Sequence, residues 1–337
     1  MILGGRDLRQ ASLLLAEIGN NHEGDPALAL DLVAAALDSG ADAIKIQVIN
    51  PERLVNRSQT ERIAQLKRFR LPLSVIAEMA ERARAKGALF IASAFDTQSL
   101  DDIADLLTAV KIASGDLDFT PLLTHAARLG KPILLSTGMA TLAEVKTAVQ
   151  TIEAHGASAT PLAERLALLH CVSLYPTPLP AANLRTIVTL RETFGLPVGY
   201  SDHTLGIEAA IVALSLGARV IEKHFTLDKR RTTFRDHALS ADPDDLRRLA
   251  AVIHQYEAAL GTGDKQPLAD ELAMAAVARR SVVAARDLPA GTQLTAADLD
   301  CVRPRTGWPP EKIGALIGQT VRVSLKTHEL LTEHHLE

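Results

Sequence analysis

Eight short apolar runs, each followed by a stretch with helical spacing, fill the first three-quarters of the chain and limit what it can fold into. They are LLLAEIGN from Leu13, AIKIQVIN from Ala43, ALFIASAF from Ala88, AVKIASGD from Ala109, PILLSTGM from Pro132, LALLHCVS from Leu166, PVGYSDHT from Pro197 and ARVIEKHF from Ala218. Runs rich in Val, Ile and Leu at every position suit strands covered on both faces, as in a parallel sheet wrapped by helices. Between them PALALDLVAAALDSGAD, LSVIAEMAERARAKGA and LLTHAARLGK repeat apolar residues at helical intervals and stop at Gly. Eight β-α units predict a closed (β/α)8 TIM barrel in the α/β class; a doubly wound open sheet satisfies the same count.

Each run ends in polar residues. In a parallel barrel the C-terminal strand ends converge on one mouth, where active sites are built. Those ends carry Glu17, Asn20, Asn21 and His22; Lys45 and Gln47; Ser93; Lys111, Ser114 and Asp116; Ser136 and Thr137; Ser173 and Tyr175; Ser201, Asp202 and His203; Glu222, Lys223 and His224. Lys45 sits between isoleucines in IKIQ and Lys111 within VKIAS, so each lies in a buried strand and needs an anionic partner. A salt bridge plugging the barrel, with Glu17 or Glu222, satisfies one such lysine. Two lysines among many hydroxyls point instead to a phosphate or carboxylate site. The SGD and STG turns add donors and let backbone approach an oxyanion. His203 and His224 close consecutive runs and could share one metal ion, although histidines also cap strands and fill cores.

Composition excludes other classes. A chain of 337 residues, 47% hydrophobic and 23% charged, is expected to be globular, with no membrane span and no export segment. The net charge of -4 and 3% aromatic content offer nothing to a nucleic acid backbone or to stacked bases. Two scattered cysteines, Cys171 and Cys301, make no disulfide framework, which suits the cytoplasm. No Walker sequence, GxGxxG element or nucleophile-elbow serine is present.

The pattern changes near Gly261. The stretch GTGDKQPLADE from Gly261 reads as linker, and the expected division is a barrel over residues 1–262, a linker over 263–278, and a small domain of short strands and turns over 279–337. About sixty residues build a modest core, so this domain is expected to dock on its own barrel or on a partner subunit.

The motifs AEIGNNHEG, IKIQ, KIASGD, LLSTGM, HCVSLYPTP, GYSDHT, IEKHFTLD and DHALSADP, in this order, resemble the sialic acid synthase family. The tail, with DLPAGTQLTAADL and VRPRTGWPP, resembles the antifreeze-like (SAF) domain that follows the barrel in that family. The resemblance implies condensation of phosphoenolpyruvate with an N-acylated, mannosamine-type amino sugar to a nine-carbon 2-keto acid, N-acetylneuraminate or legionaminate, plus phosphate. It implies a divalent metal, manganese before magnesium or cobalt, on His203 and His224. Lys45, Lys111, Ser93, Ser114, Ser136, Ser173 and Ser201 match positions around phosphoenolpyruvate. Glu17, Gln47, Tyr175, Glu222 and Asp236 match positions near the metal or the sugar, with Glu17, Lys45, Asp116 and Glu222 as the catalytic candidates. Arg303 aligns with an arginine that enters the partner subunit's barrel, implying a domain-swapped homodimer; a plain surface-loop residue is the alternative.

The chain departs from the family pattern at three places. Asp116 stands where Glu is usual, FRDH replaces GPDH after a basic KRRTT, and Ser93-Ala94 replaces Thr-Pro. DHALSADP favours the neuraminic or legionaminic branch over the pseudaminic one. Two alternatives are a synthase using phosphoenolpyruvate and another aldose, and a non-catalytic sugar-binding barrel; the tail lacks the repeated Thr-rich face that ice binding needs.

Overall fold

The chain begins with a two-stranded hairpin, β1 (Ile2–Leu3) and β2 (Arg6–Asp7), before any barrel strand. Eight strands follow: β3 (Leu13–Gly19), β4 (Ala43–Val48), β5 (Leu89–Ala94), β6 (Ala109–Ile112), β7 (Ile133–Ser136), β8 (Leu166–Cys171), β9 (Val198–Asp202) and β10 (Val220–His224). Each pairs in parallel with the next and β10 pairs with β3, so the sheet closes into a TIM barrel, not an open sheet. The computed structural model describes all 337 residues and divides them into two units, Met1–Gly261 and Thr262–Glu337.

Side-chain alternation sorts the strands into two cores. Inward residues Leu13, Leu15, Ala43, Ile91, Ala109, Leu134, Ala167, Leu169 and Val220 fill the barrel. Outward residues such as Leu14, Ile44, Phe90, Val110, Leu135, Leu168 and Ile221 pack beneath the helices in a larger cluster. Met1, Leu3 and Leu8 of the hairpin segment join the inner cluster near the strand starts. Its turn is Gly4-Gly5, both at positive φ (55° and 88°), a conformation costly for other residues. The hairpin closes the barrel at the end away from the polar strand ends.

Helix starts follow local chemistry. Asp25 caps helix Pro26–Asp38 by accepting from the Ala27 and Leu28 amides, with proline at the first helical position. Thr141 and Glu144 form a reciprocal capping box on helix Leu142–His155. These devices fix the helices that hold each strand in register.

In the second unit, β11 (Ser281–Ala284) pairs antiparallel with β12 (Leu299–Val302) over a core of Val282, Leu288, Leu294, Leu316, Val321, Leu325 and Leu331. The segment expected to be a linker is helical over Ala269–Ala278, because ADELAMAAVA is rich in helix formers and Glu271 accepts from the Leu268 amide. It is tied to the small unit by a hydrogen bond from the Arg305 amide to the Ala276 carbonyl.

Candidate active site

Glu17 on β3 and Lys45 on β4 are register partners, and both side chains point into the barrel. Lys45 Nζ donates to Glu17 Oε1 at 2.7 Å, and Gln47 Nε2 donates to the same oxygen at 2.8 Å. Lys45 therefore has an internal acceptor in the Glu17 carboxyl group. Glu17 Oε2 is buried without a hydrogen-bond partner. Burial pushes the Glu17 carboxyl above its ordinary value, with Lys45 opposing.

Across the barrel, Lys111 Nζ donates to Ser136 Oγ at 2.6 Å and lies 3.9 Å from Glu222 Oε2. Ser201 Oγ donates to Glu222 Oε1 at 2.8 Å. Burial would raise the Glu222 carboxyl, but Lys111 and Lys45 outweigh it and hold it below its ordinary value. Burial also lowers the Lys111 ammonium, with Glu222 opposing. Two carboxyls in one pocket thus have their proton affinities driven apart, which is how an acid and a base are separated.

A hydroxyl cradle adjoins the lysines. Gly138 N donates to Ser114 Oγ at 3.0 Å, and a Cβ on Gly138 would meet Ser173 Oγ at 2.5 Å and Ser114 Oγ at 2.8 Å. Ser93, the register partner of Gln47, is buried with its hydroxyl unpartnered. Asp116 sits on the turn Ser114–Asp116 that follows β6, half-buried and without an ion-pair partner; burial pushes it up to about 6 despite Lys111.

The two histidines meet at the mouth. Their rings are 5.3 Å apart between centroids, and the Tyr175 ring lies 4.1 Å from His203 and 5.9 Å from His224. His203 Nδ1 is 2.9 Å from the Val172 carbonyl, which can only accept, so Nδ1 carries a hydrogen; burial would lower this imidazole, but the Cys171 thiol and the Val172 carbonyl outweigh it and raise it above its ordinary value. Burial, reinforced by His203 and Lys45, holds His224 well below its ordinary value and so neutral, and its Nδ1 is buried with no partner. Two imidazoles within reach of each other, one of them neutral with an unpartnered Nδ1, are donors of the kind a divalent cation takes. No cluster of three or more His, Cys, Asp or Glu side chains is arranged to hold one, so the two imidazoles are the side-chain donors on offer.

Outside the histidines a cavity of about 790 Å³ reaches Asp236, with Tyr175, His224, Phe69 and Phe234 on its walls. Arg235, in the FRDH segment, lies 4.6 Å over the Tyr175 ring and donates to Asp236 Oδ1 at 3.2 Å. Phe234 meets Phe69 edge-on at 5.2 Å. Phe69 ends helix Thr60–Phe69, inserted after β4; its spacing of Ile63, Leu66 and Phe69 is the signal that could have marked it. Cys171 Sγ, 3.7 Å from His203 Nδ1, was hidden inside an apolar run. The barrel thus brings together every proposed site residue of its own, whereas Arg303 is an exposed residue of the second unit.

Comparison with known proteins supplies the family. Residues 32–265 match the NeuB family and residues 279–337 match the SAF domain. The N,N'-diacetyllegionaminic acid synthase of Legionella pneumophila is 38% identical over 96% of this chain and 94% of its own length. The mouse (Mus musculus) N-acetylneuraminate-9-phosphate synthase is 33% identical over 96% of this chain and 92% of its own. The solved N-acetylneuraminic acid (sialic acid) synthetase of Leptospira borgpetersenii superposes with a TM-score of 0.72 at 35% identity, over 78% of this chain and 90% of that one. With matches spanning both units, the chain belongs to the NeuB family and is a biosynthetic enzyme of the sialic acid synthase type.

Proposed function

We propose that the protein condenses phosphoenolpyruvate with the open-chain form of an N-acylated, mannosamine-type amino sugar, giving a nine-carbon 2-keto sugar acid and phosphate. The observation that carries this reading is the convergence of two strand-buried lysines and a serine cradle on the same barrel mouth as two imidazoles. Relatives named as legionaminate, neuraminate-9-phosphate and pseudaminate synthases support it.

Lys45, Lys111 and the hydroxyls of Ser93, Ser114, Ser136, Ser173 and Ser201 hold the phosphate and carboxylate of phosphoenolpyruvate. Gln47, Tyr175 and Asp236 orient the sugar in the outer cavity, where Arg235 fixes Asp236. C3 of phosphoenolpyruvate bonds to the aldehyde carbon, and the aldehyde oxygen takes a proton from Glu17, whose burial favours the protonated form. Water adds to C2 and gives a proton to Glu222, which stays ionised between the lysines. The C2–O bond to phosphate then breaks, phosphate leaves with the electron pair, and C2 becomes the ketone as its hydroxyl loses a proton. Asp116 stands beside the Ser114 turn as a further proton acceptor. A divalent metal on His203 and His224, manganese before magnesium or cobalt, would supply Lewis-acid polarisation of the aldehyde oxygen.

The helix Ala269–Ala278 and its flank expose Leu268, Leu272, Met274 and Val277, an apolar set that calls for cover. A homodimer with exchanged C-terminal domains, placing Arg303 at the mouth of the other subunit's barrel, meets that need. The two free cysteines suit a cytoplasmic setting for this reaction. Mass spectrometry of products from N-acetylmannosamine, its 6-phosphate and a 2,4-diacetamido-6-deoxy sugar tests the reading. A nine-carbon keto acid from one of them is expected; unchanged acceptor in all three contradicts it.

A further inference from the structure

The geometry points to Lys223 and Asp202 as positioning residues that set the spacing of His203 and His224. This rests on the reading that the two imidazoles hold a metal. Along β9 and β10, Ser201, Glu222 and the two histidines face the barrel interior, so Asp202 and Lys223 face outward into the layer beneath the helices. Equivalent outward positions near the ends of other strands are apolar: Ala16, Ile46, Ala94 and Ile112 all belong to the outer cluster. At β9 and β10 a full ion pair takes their place.

Lys223 and Asp202 are register partners on adjacent strands. Lys223 Nζ lies 3.0 Å from Asp202 Oδ2 and donates to the Thr204 carbonyl at 2.5 Å. Asp202 Oδ1 accepts from the Thr204 amide and hydroxyl, both at 2.8 Å. The residues before and after His203 are therefore bound to the residue that precedes His224. One knot of charge and hydrogen bonds spans the backbone of both histidines, directly behind their side chains.

Energetics favours a geometric role. The Lys223 and Asp202 side chains are 1% and 0% exposed. A buried pair of this kind gains little over well-packed apolar residues, because desolvation offsets the attraction. What it supplies that an Ile-Ala contact would not is direction: four hydrogen bonds converge on the turn carrying His203.

The test is manganese binding by the full-length, metal-stripped enzyme, read from the electron paramagnetic resonance of free Mn²⁺, with melting temperatures in parallel. Lys223→Met and Asp202→Asn should weaken binding by about 10-fold or more, the usual effect of losing a partner behind a metal ligand. Lys223→Arg, which keeps the charge and the reach, should retain most of the affinity. A pair that only stabilises the fold would lower the melting temperature and leave manganese affinity unchanged, and that result overturns the inference. If Lys223→Met does not fold, the Asp202→Asn and Lys223→Arg contrast decides. Absence of manganese binding by the wild-type protein would overturn the metal reading and this inference with it; wild-type binding matched by both variants overturns this inference alone.

Discussion

Lys111 on β6 and Glu222 on β10 stand four strands apart in the closed sheet and meet across the barrel axis, Nζ to Oε2, at 3.9 Å. The contact leaves Glu222 ionised in a site that would otherwise protonate it. Glu222→Gln keeps the shape and the Ser201 contact but removes the base. It should lower kcat by about 10²–10⁴-fold, the range for loss of a general base, and leave KM for phosphoenolpyruvate nearly unchanged. Steady-state kinetics checks this; a rise in KM with kcat intact would instead make Glu222 a binding residue.

Asp116 gives a pH signature. Its carboxyl is pushed from an ordinary 3.8 up to about 6, so the folded state holds the proton more tightly than the unfolded chain. Its neutral form contributes fully below about pH 4, and that contribution is lost as pH rises to about 6. Asp116→Asn should therefore gain stability relative to wild type between pH 4.5 and 7.5. The gain should be about 1–2 kcal/mol, discounted for partial exposure. Urea unfolding at the two pH values measures it, and a pH-independent difference would remove Asp116 from this account.

Gly138→Ala places a methyl group against Ser173 Oγ and Ser114 Oγ, inside normal contact distance of both. The hydroxyls must move out of the cradle. KM for phosphoenolpyruvate should rise by about 10-fold or more, as misplacement by an ångström is costly. Acceptor KM should change little, and equal rises in both would mean that Gly138 serves the site's overall shape.

Leu3→Ala tests the hairpin plug. Leu3 is fully buried in the inner cluster, at the end of the barrel away from the mouth. A loss of about 2–4 kcal/mol of stability, with kcat and KM unchanged, is expected for such a cavity. A change in KM would show that the plug transmits to the site.

The barrel was legible because each strand run is apolar on both faces and each βα unit repeats the signal; all eight runs became strands. The hairpin was not, since two-residue strands carry no periodicity, and only the Gly4-Gly5 pair hinted at a turn. The Ala269–Ala278 helix was hidden by the polar, turn-like residues before it. At the site, Lys45 and Lys111 could be read as buried because isoleucine, valine and alanine flank them, and their partners Glu17, Ser136 and Glu222 lay among the polar strand ends. Arg235 over Tyr175 could not be read, because it depends on how a long loop folds back across the mouth. The knot at Lys223 was equally hidden, as a lone Lys in VIEKH gives no sign of which way it faces.

The most direct measurement is phosphate release from phosphoenolpyruvate with manganese present, comparing each amino-sugar acceptor with none, and His224→Ala with wild type. The account predicts release that depends on an acceptor, disappears on chelation and is lost in His224→Ala. Release without any acceptor, or acceptor-dependent release that survives both chelation and His224→Ala, would contradict it.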